Sequence, residues 1–366
     1  MSFRSVKRRL ANGSPFTAEK MLRRNRATMA VDNGLAAYRR VTVTGGLGFV
    51  GRHLVAALAA MGKEVVVVDI AARARRGTVP AGVELRRADL RDREQTERAV
   101  ADADLVFHLA GNSSGTLSVD RPRFDFETNA QATFNLSEAL LGSGARRLVY
   151  LSSAMVYGVP RTCPVDEEHP LEPFLPYGAS KLSGELAIRS LQQSLGLPAV
   201  IARAFTIYGP GEDPRVAGGE VSQFLRWHLN GLPIRATGDV DRKTRDFVHV
   251  SDLVAGLLVI ADRAEDGQVL NVGSGEEISL RQLAQAIGTA TGRQPELVAD
   301  ERVADDTYRM VADVSRLRAL GYQPRTPLLQ GLAKLARHLG DRPELPSVAT
   351  IFRSDQRSWR REVAVC

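Results

Sequence analysis

Gly45, Gly48 and Gly51 recur at every third position directly after the β-branched run Val41-Thr42-Val43-Thr44 and directly before Phe49–Ala60, whose apolar residues fall at helical spacing. A strand, a glycine turn and a helix in immediate succession leave little choice of fold. The chain must reverse within a few residues and press the helix back onto the strand it has just left. Gly45 allows the tight turn, Gly48 clears the space above its backbone, and Gly51 lets helix and strand pack closely. Further apolar runs follow at Val65–Asp69, Leu105–Leu109, Leu148–Ser152 and Ala199–Ala204. Helical stretches such as Arg93–Val100, Ala130–Leu141 and Ser180–Leu195 separate them. Strands that are apolar on both faces and alternate with helices predict a parallel sheet covered on both sides, a doubly wound α/β (Rossmann) fold.

After Tyr208 the texture changes. Gly209-Pro210-Gly211 breaks the alternation, and helices near Val221–Asn230, Leu280–Thr291 and Leu328–Leu339 are interspersed with short strands. We therefore expect a sheet domain over residues 39–208 plus about 247–272. A smaller C-terminal α+β domain is expected over 209–246 plus about 273–345, with a leader at 1–38 and a peripheral tail at 346–366.

Charge excludes one class of partner once it is located. The net charge is +7, but residues 1–40 carry ten Lys/Arg against two acids, which leaves the other 326 residues at −1. The basicity belongs to the leader, expected to be disordered, and not to a nucleic-acid-binding face on the folded body. No apolar run reaches the roughly 18 residues of a membrane span. The leader lacks the apolar stretch of a secretory signal. The two cysteines, Cys163 and Cys366, fit neither a metal site nor a disulfide framework. The expectation is a cytoplasmic protein without metal.

A helix that starts at a glycine turn offers free N–H groups and a positive dipole end to phosphates, so the turn and its flanking Phe49 and Val50 are candidates for holding a dinucleotide. Asp69 ends the second strand, 24 residues after Gly45. A carboxylate there accepts hydrogen bonds from ribose hydroxyls and repels a 2′-phosphate, which favours NAD over NADP. Arg73, Arg75 and Arg76 just beyond argue the other way.

Tyr177 and Lys181 stand four apart on one expected helical face. An ammonium beside a phenol favours the phenolate and lowers its pKa, which would make Tyr177 a general base. Ser152 and Ser153 follow the strand Leu148–Leu151, so their hydroxyls emerge at the carboxyl end of the sheet, where α/β ligands bind.

In this order, these motifs resemble the extended short-chain dehydrogenase/reductase family, in its group of nucleotide-sugar epimerases and dehydratases. The resemblance runs over about residues 40–340. It rests on Thr44–Gly51, Asp69, Asp89-Leu90, His108-Leu109-Ala110-Gly111, Asn129, Ser153, Tyr177/Lys181, Phe205–Pro210, Arg245–Asp252 and Asn271–Gly275. It implies that Asp89 and Leu90 flank the adenine, that Leu109, Ala110, Gly111 and Asn129 line the cofactor, and that Phe205 meets the nicotinamide end. It implies that Ser153 hydrogen-bonds the reacting sugar hydroxyl, Tyr177 takes its proton and Lys181 binds the nicotinamide ribose. Arg245 and Arg309 would hold the diphosphate of a nucleotide sugar, Asp313 its ribose, and Thr206 stands where many relatives carry a diphosphate-binding Asn. A homodimer formed through the helix Ala130–Leu141 and the helix bearing Tyr177 is usual in the family.

In the family's 4,6-dehydratases an Asp-Glu pair follows the serine. Here the two positions are Ala154 and Met155, neither able to move a proton. The reading is therefore a nucleotide-sugar 4-epimerase working through a 4-keto sugar. A dehydratase, decarboxylase or dehydrogenase of the same family is the first alternative, and a non-catalytic NAD-sensing protein the second. His108 and His249 are assigned to structure.

Overall fold

A computed structural model describes residues 35–71, 79–214, 219–300 and 308–346. The leader up to residue 34, Arg73, Arg75 and Arg76, and the tail from 347 lie outside the described residues.

The first part of the chain runs β1 (Arg40–Thr44), α1 (Phe49–Ala60), β2 (Glu64–Asp69), β3 (Glu84–Arg87), α2 (Arg93–Val100), β4 (Leu105–His108), α3 (Gly115–Asp120) and α4 (Pro122–Phe126). A π-helical turn over Glu127–Gln131 joins α4 to α5 (Ala132–Leu141). Then follow β5 (Arg147–Ser153), α6 (Pro176–Leu195), β6 (Ala199–Ala204), β7 (Thr206–Tyr208), α7 (Glu220–Leu229), β8 (Ile234–Thr237), β9 (Thr244–Arg245) and β10 (Phe247–His249). The chain ends with α8 (Val250–Arg263), β11 (Val269–Val272), β12 (Ile278–Ser279), α9 (Leu280–Thr291), β13 (Leu297–Asp300), β14 (Arg309–Met310), α10 (Ser315–Ala319) and α11 (Leu328–Leu339).

Seven strands form one sheet in the order β11-β6-β5-β4-β1-β2-β3, with every pair parallel. Successive residues of each strand feed opposite cores, as the period of two requires. Val41, Val43, Leu105, Phe107, Val149 and Val200 pack on one face with Leu54 and Leu58 of α1 and Leu253 and Leu257 of α8. Val66, Val106, Leu148, Tyr150 and Ile201 pack on the other with Val100, Leu136 and Ile188. Each fully buried aliphatic side chain contributes about 1.5–3 kcal/mol, so these two layers are the main source of stability.

The sequence pattern missed two strands, β3 and β11. β3 reads Glu-Leu-Arg-Arg and stands at the sheet edge, where charge discourages pairing with another chain. β11 is four residues long and occupies the opposite edge. The C-terminal α+β part has its own core, in which Phe224, Leu225 and Trp227 meet Ile234, Leu283, Ile287, Leu332 and Leu335. Its strands form small sheets, β12-β9-β14 and β13-β8. Among the described residues no helix is long and apolar enough to cross a membrane.

Candidate active site

Strand order reverses between β1 and β4, and ligands of such sheets bind at that crevice. The turn after β1 lies there. Gly45 has φ 67°, and a Cβ on it would stand 2.8 Å from the backbone of Ala110. A Cβ on Gly51 would stand 2.2 Å from the Gly45 carbonyl oxygen. The loops after β1 and β4 are thus in backbone contact, and only glycine fits. Gly48 caps α1 without a side-chain cap, so the first N–H groups of the helix are open to phosphate oxygens. Phe49 opens the helix with its ring edge-on to His53, and Val50 packs against the core beneath. Asp69 accepts from Leu47 N on one oxygen and Ala71 N on the other, both at 3.1 Å. Each oxygen keeps a lone pair for a ribose hydroxyl. These features fit a dinucleotide.

Farther along the crevice, Asp89 grips the Arg91 guanidinium at 2.6 Å, and that hydrogen bond, the largest influence, lowers its pKa. Leu90 is buried in the core, and its carbonyl accepts from Thr96 and Asn135. The Asp89 carboxylate is thus engaged by Arg91, and the Leu90 side chain by the core. Leu109 and Ala110 hang from β1 by bonds to Thr44 O and Thr44 Oγ1. Gly111 faces the Asn129 side chain: its absent Cβ would stand 2.5 Å from Asn129 Oδ1. That oxygen is buried without a hydrogen-bond partner.

Ser153, Tyr177 and Lys181 converge beyond Gly111. Ser153 ends β5, and its hydroxyl accepts from Met155 N at 3.2 Å as the chain enters a 3-10 turn over Ala154–Val156. Helix α6 begins at Pro176, four residues earlier than the pattern suggested, with proline in the first turn where no N–H is missed. Tyr177 therefore sits at the helix start, half-buried and hydrogen-bonded to Ser153. Gly178 is required next to it, because a Cβ there would stand 2.4 Å from Met155 O.

The electrostatics differ from the sequence expectation. Desolvation raises the Tyr177 pKa, and the Ser153 hydrogen bond offsets this only in part. The Lys181 ammonium is held by the backbone of β5. It donates to Leu151 O at 2.9 Å and lies 5.1 Å from the Tyr150 ring centre. Burial brings its pKa down to about 8, against the pull of Asp125 and Glu185. The spacing placed both groups on one face, but the lysine's bond to Leu151 O could not be read from spacing.

Phe205 is buried beside Tyr157, at 6.4 Å between ring centres. Thr206 starts β7 and pairs with Phe247. Arg245 is buried, donates to Thr244 O and Tyr308 O at 2.9 Å, and lies over the Tyr308 ring at 4.2 Å. Arg309 is half-exposed and engaged by both oxygens of Glu277 at 2.6 and 2.7 Å. The Asp313 carboxylate accepts from Ser315 N at 2.8 Å, and the Ser315 hydroxyl is the largest cause of its lowered pKa. Glu277, which also accepts from Thr244 Oγ1, was not singled out from sequence.

Both histidines are neutral scaffold. Thr133 Oγ1 donates to Asn129 O, so it accepts from His108 Nε2–H, and His108 Nδ1 accepts from Thr44. Burial pulls the His108 pKa down to about 3. His249 caps α8 through Ser251 N, and burial likewise holds it at about 3. Among the described residues no His, Cys, Asp and Glu side chains cluster as metal ligands.

A missed network supports the site from below. Glu185 on α6 and Arg203 on β6 form a fully buried ion pair at 2.7 Å, with Ser152 bonded to the same carboxylate. Arg203 continues to Tyr157, and Tyr157 to Asn271 at 2.7 Å.

A parallel sheet with a glycine-turn dinucleotide crevice and a Ser-Tyr-Lys cluster at its carboxyl edge defines a nicotinamide-dependent enzyme of the Rossmann class. Residues 41–273 match the model of the NAD dependent epimerase/dehydratase family, and the chain belongs to that family. It is 35% identical to the UDP-glucose 4-epimerase of Mycolicibacterium smegmatis over 303 residues, covering 81% of this chain and 96% of that one. A solved Thermus thermophilus UDP-glucose 4-epimerase in complex with NAD matches with TM-score 0.74 and 35% identity over 82% of this chain and 98% of the other. A dTDP-glucose 4,6-dehydratase from Streptomyces venezuelae, with NAD bound, matches with TM-score 0.74 at 28% identity over 82% and 96%.

Proposed function

We propose that this protein is an NAD-dependent nucleotide-sugar 4-epimerase. The observation that carries the reading is the Ser153–Tyr177–Lys181 cluster flanked by Ala154 and Met155, without a second proton donor or acceptor at those positions. When bound, the oxidised nicotinamide supplies a hydride acceptor and a positive charge beside the phenol, and its reduced form supplies the hydride for return. Ser153 orients the reacting sugar hydroxyl toward Tyr177. Tyr177 accepts that proton and gives it back when the ketone is reduced. The Lys181 ammonium, fixed on Leu151 O, keeps a cation within the buried cluster and is placed to hold the nicotinamide ribose. Arg245, already immobilised on Tyr308, is preorganised for a diphosphate. Arg309 reaches the same ligand by exchanging or sharing Glu277. Thr206 and Asp313 line the sugar-nucleotide side, formed by residues 209–246 and 273–345.

The likeness to UDP-glucose 4-epimerases supports a UDP-hexose as substrate. Purified protein is to be incubated with UDP-glucose, UDP-galactose and the corresponding uronates, and the products separated by chromatography. Interconversion of a C4 pair is expected, and exclusive loss of water or CO₂ would overturn the reading.

The reading includes a homodimer. Phe126, Phe134, Leu186 and Leu195 stand exposed along α4, α5 and α6. Large apolar side chains gathered on adjacent helices mark an association surface.

A further inference from the structure

Asp125 has no role in the scheme above, yet it is a fully buried carboxylate on α4, next to the reactive cluster. Its Oδ1 accepts from Asn112 Nδ2 at 2.6 Å and Asn129 Nδ2 at 3.1 Å, and its Oδ2 accepts from Ser180 Oγ at 2.6 Å. The polarity of this network is fixed. An ionised carboxylate only accepts, so Asn129 must turn its NH₂ toward it. Ser180 has one proton and two acceptors in reach, Asp125 Oδ2 at 2.6 Å and Tyr177 O at 3.0 Å; the shorter bond to the carboxylate takes it, and Ser180 Oγ accepts the second Asn129 N–H at 3.0 Å. Both amide hydrogens are then used, and the acceptor left over is Asn129 Oδ1. This oxygen is buried, unpartnered and 2.5 Å from the point where a Gly111 Cβ would stand. The Lys181 Nζ is 3.6 Å from the same point. Asn129 lies in the π-turn over Glu127–Gln131, a local geometry frequent at functional sites.

We infer that Asp125 is a positioning residue for the cofactor: it locks the Asn129 amide so that its carbonyl oxygen faces the Gly111–Lys181 strip and accepts a hydrogen bond from a hydroxyl of the bound dinucleotide. The inference rests on the dinucleotide crevice and not on the fate of the sugar. Asp125 has a second effect. Its charge raises the pKa of Tyr177 and of Lys181. The groups that face this cluster are Ser153 and Tyr150 from β5, His108 from β4, Asp125 from α4, and Lys181 and Glu185 from the tyrosine's own helix.

The test is NADH affinity by fluorescence titration, without sugar, on the full chain. Asp125→Ala removes the acceptor that holds one Asn129 N–H and frees the amide to turn away from the strip, and binding is expected to weaken about tenfold if the competent orientation falls to about one tenth. Ser180→Ala leaves the carboxylate in place and is expected to stay within about threefold of the parent by the same population arithmetic. Should Asp125→Ala not fold, Asn129→Ala keeps Asp125 bonded to Asn112 and Ser180 and must itself lose about tenfold. The phenol titration of Tyr177, read by ultraviolet difference against Tyr177→Phe, should move to lower pH by roughly half a unit or more in Asp125→Ala and not in Asn129→Ala. A folded Asp125→Ala that binds NADH and titrates like the parent overturns the inference, as does an Asn129→Ala with parental affinity. Neither readout uses sugar turnover, so failure of the epimerase reading would leave this result standing.

Discussion

Replacing Gly51 by alanine tests the dinucleotide turn, because two effects with opposite sign can be separated there. Gly51 lies in the first turn of α1, and helix propensity alone predicts a gain of up to about 1 kcal/mol from the change. Packing predicts the reverse. The new Cβ would stand 2.2 Å from Gly45 O, 2.7 Å from Gly46 Cα and 2.9 Å from Gly46 C, whereas ordinary contact begins at 3.4 Å. All three atoms are backbone, so no side chain can swing aside. Helix α1 has to retreat by about an ångström, which strains the Gly48 N–Gly45 O turn bond of 3.0 Å. Overpacking of this kind costs about 1–3 kcal/mol. Dinucleotide binding should suffer more than stability, because the open N–H groups move with the helix; we expect at least a tenfold loss, about 1.4 kcal/mol. The assay is urea unfolding together with NADH titration. Gly144→Ala is the control, since a Cβ there meets nothing within 4 Å, and it should change neither. A Gly51→Ala protein as stable as the parent with unchanged NADH affinity would refute the close-approach argument.

Three further outcomes are expected. Arg203→Leu strips the partner from the fully buried Glu185 carboxylate, and leaving a charge so stranded should cost about 3–5 kcal/mol in urea unfolding. His108 and His249 have folded pKa values depressed to about 3 by burial. Below pH 6.5 the unfolded chain therefore binds protons that the folded one refuses, so stability falls as pH falls. Each histidine removes roughly 2 kcal/mol between pH 7 and pH 5, and His108→Gln should flatten that slope relative to its own value at pH 7. Leu186→Glu places a charge on the proposed dimer face and should give a monomer in analytical ultracentrifugation; an unchanged dimer would place the interface elsewhere.

The sequence carried more of the fold than of the site's electrostatics, and the reasons are local. Phe49–Ala60, Arg93–Val100, Leu280–Thr291 and Leu328–Leu339 were legible to the residue, because period and flanking signals agree in each. The edge strand Glu84–Arg87 was not, since edge position favours charge over apolar pattern. The glycine turn announced itself because each glycine answers a backbone clash between elements adjacent in sequence. Asp125, Glu185 and Arg203 did not, because their partners lie 55, 33 and 18 residues away and exist only once the sheet has brought them together. The Tyr177–Lys181 spacing put both residues on one helix, which is α6. It carried no information on Leu151 O, which holds the ammonium.

In the proposed reaction a hydride leaves the sugar and comes back to the same carbon while Tyr177 carries the proton. The most direct measurement uses a UDP-hexose deuterated at C4. Mass spectrometry and proton resonance of the products should find the C4 epimer with the label still on C4, no net change in nicotinamide absorbance, and no epimer from Tyr177→Phe. Label lost from C4, or a Tyr177→Phe variant turning over like the parent, would contradict it.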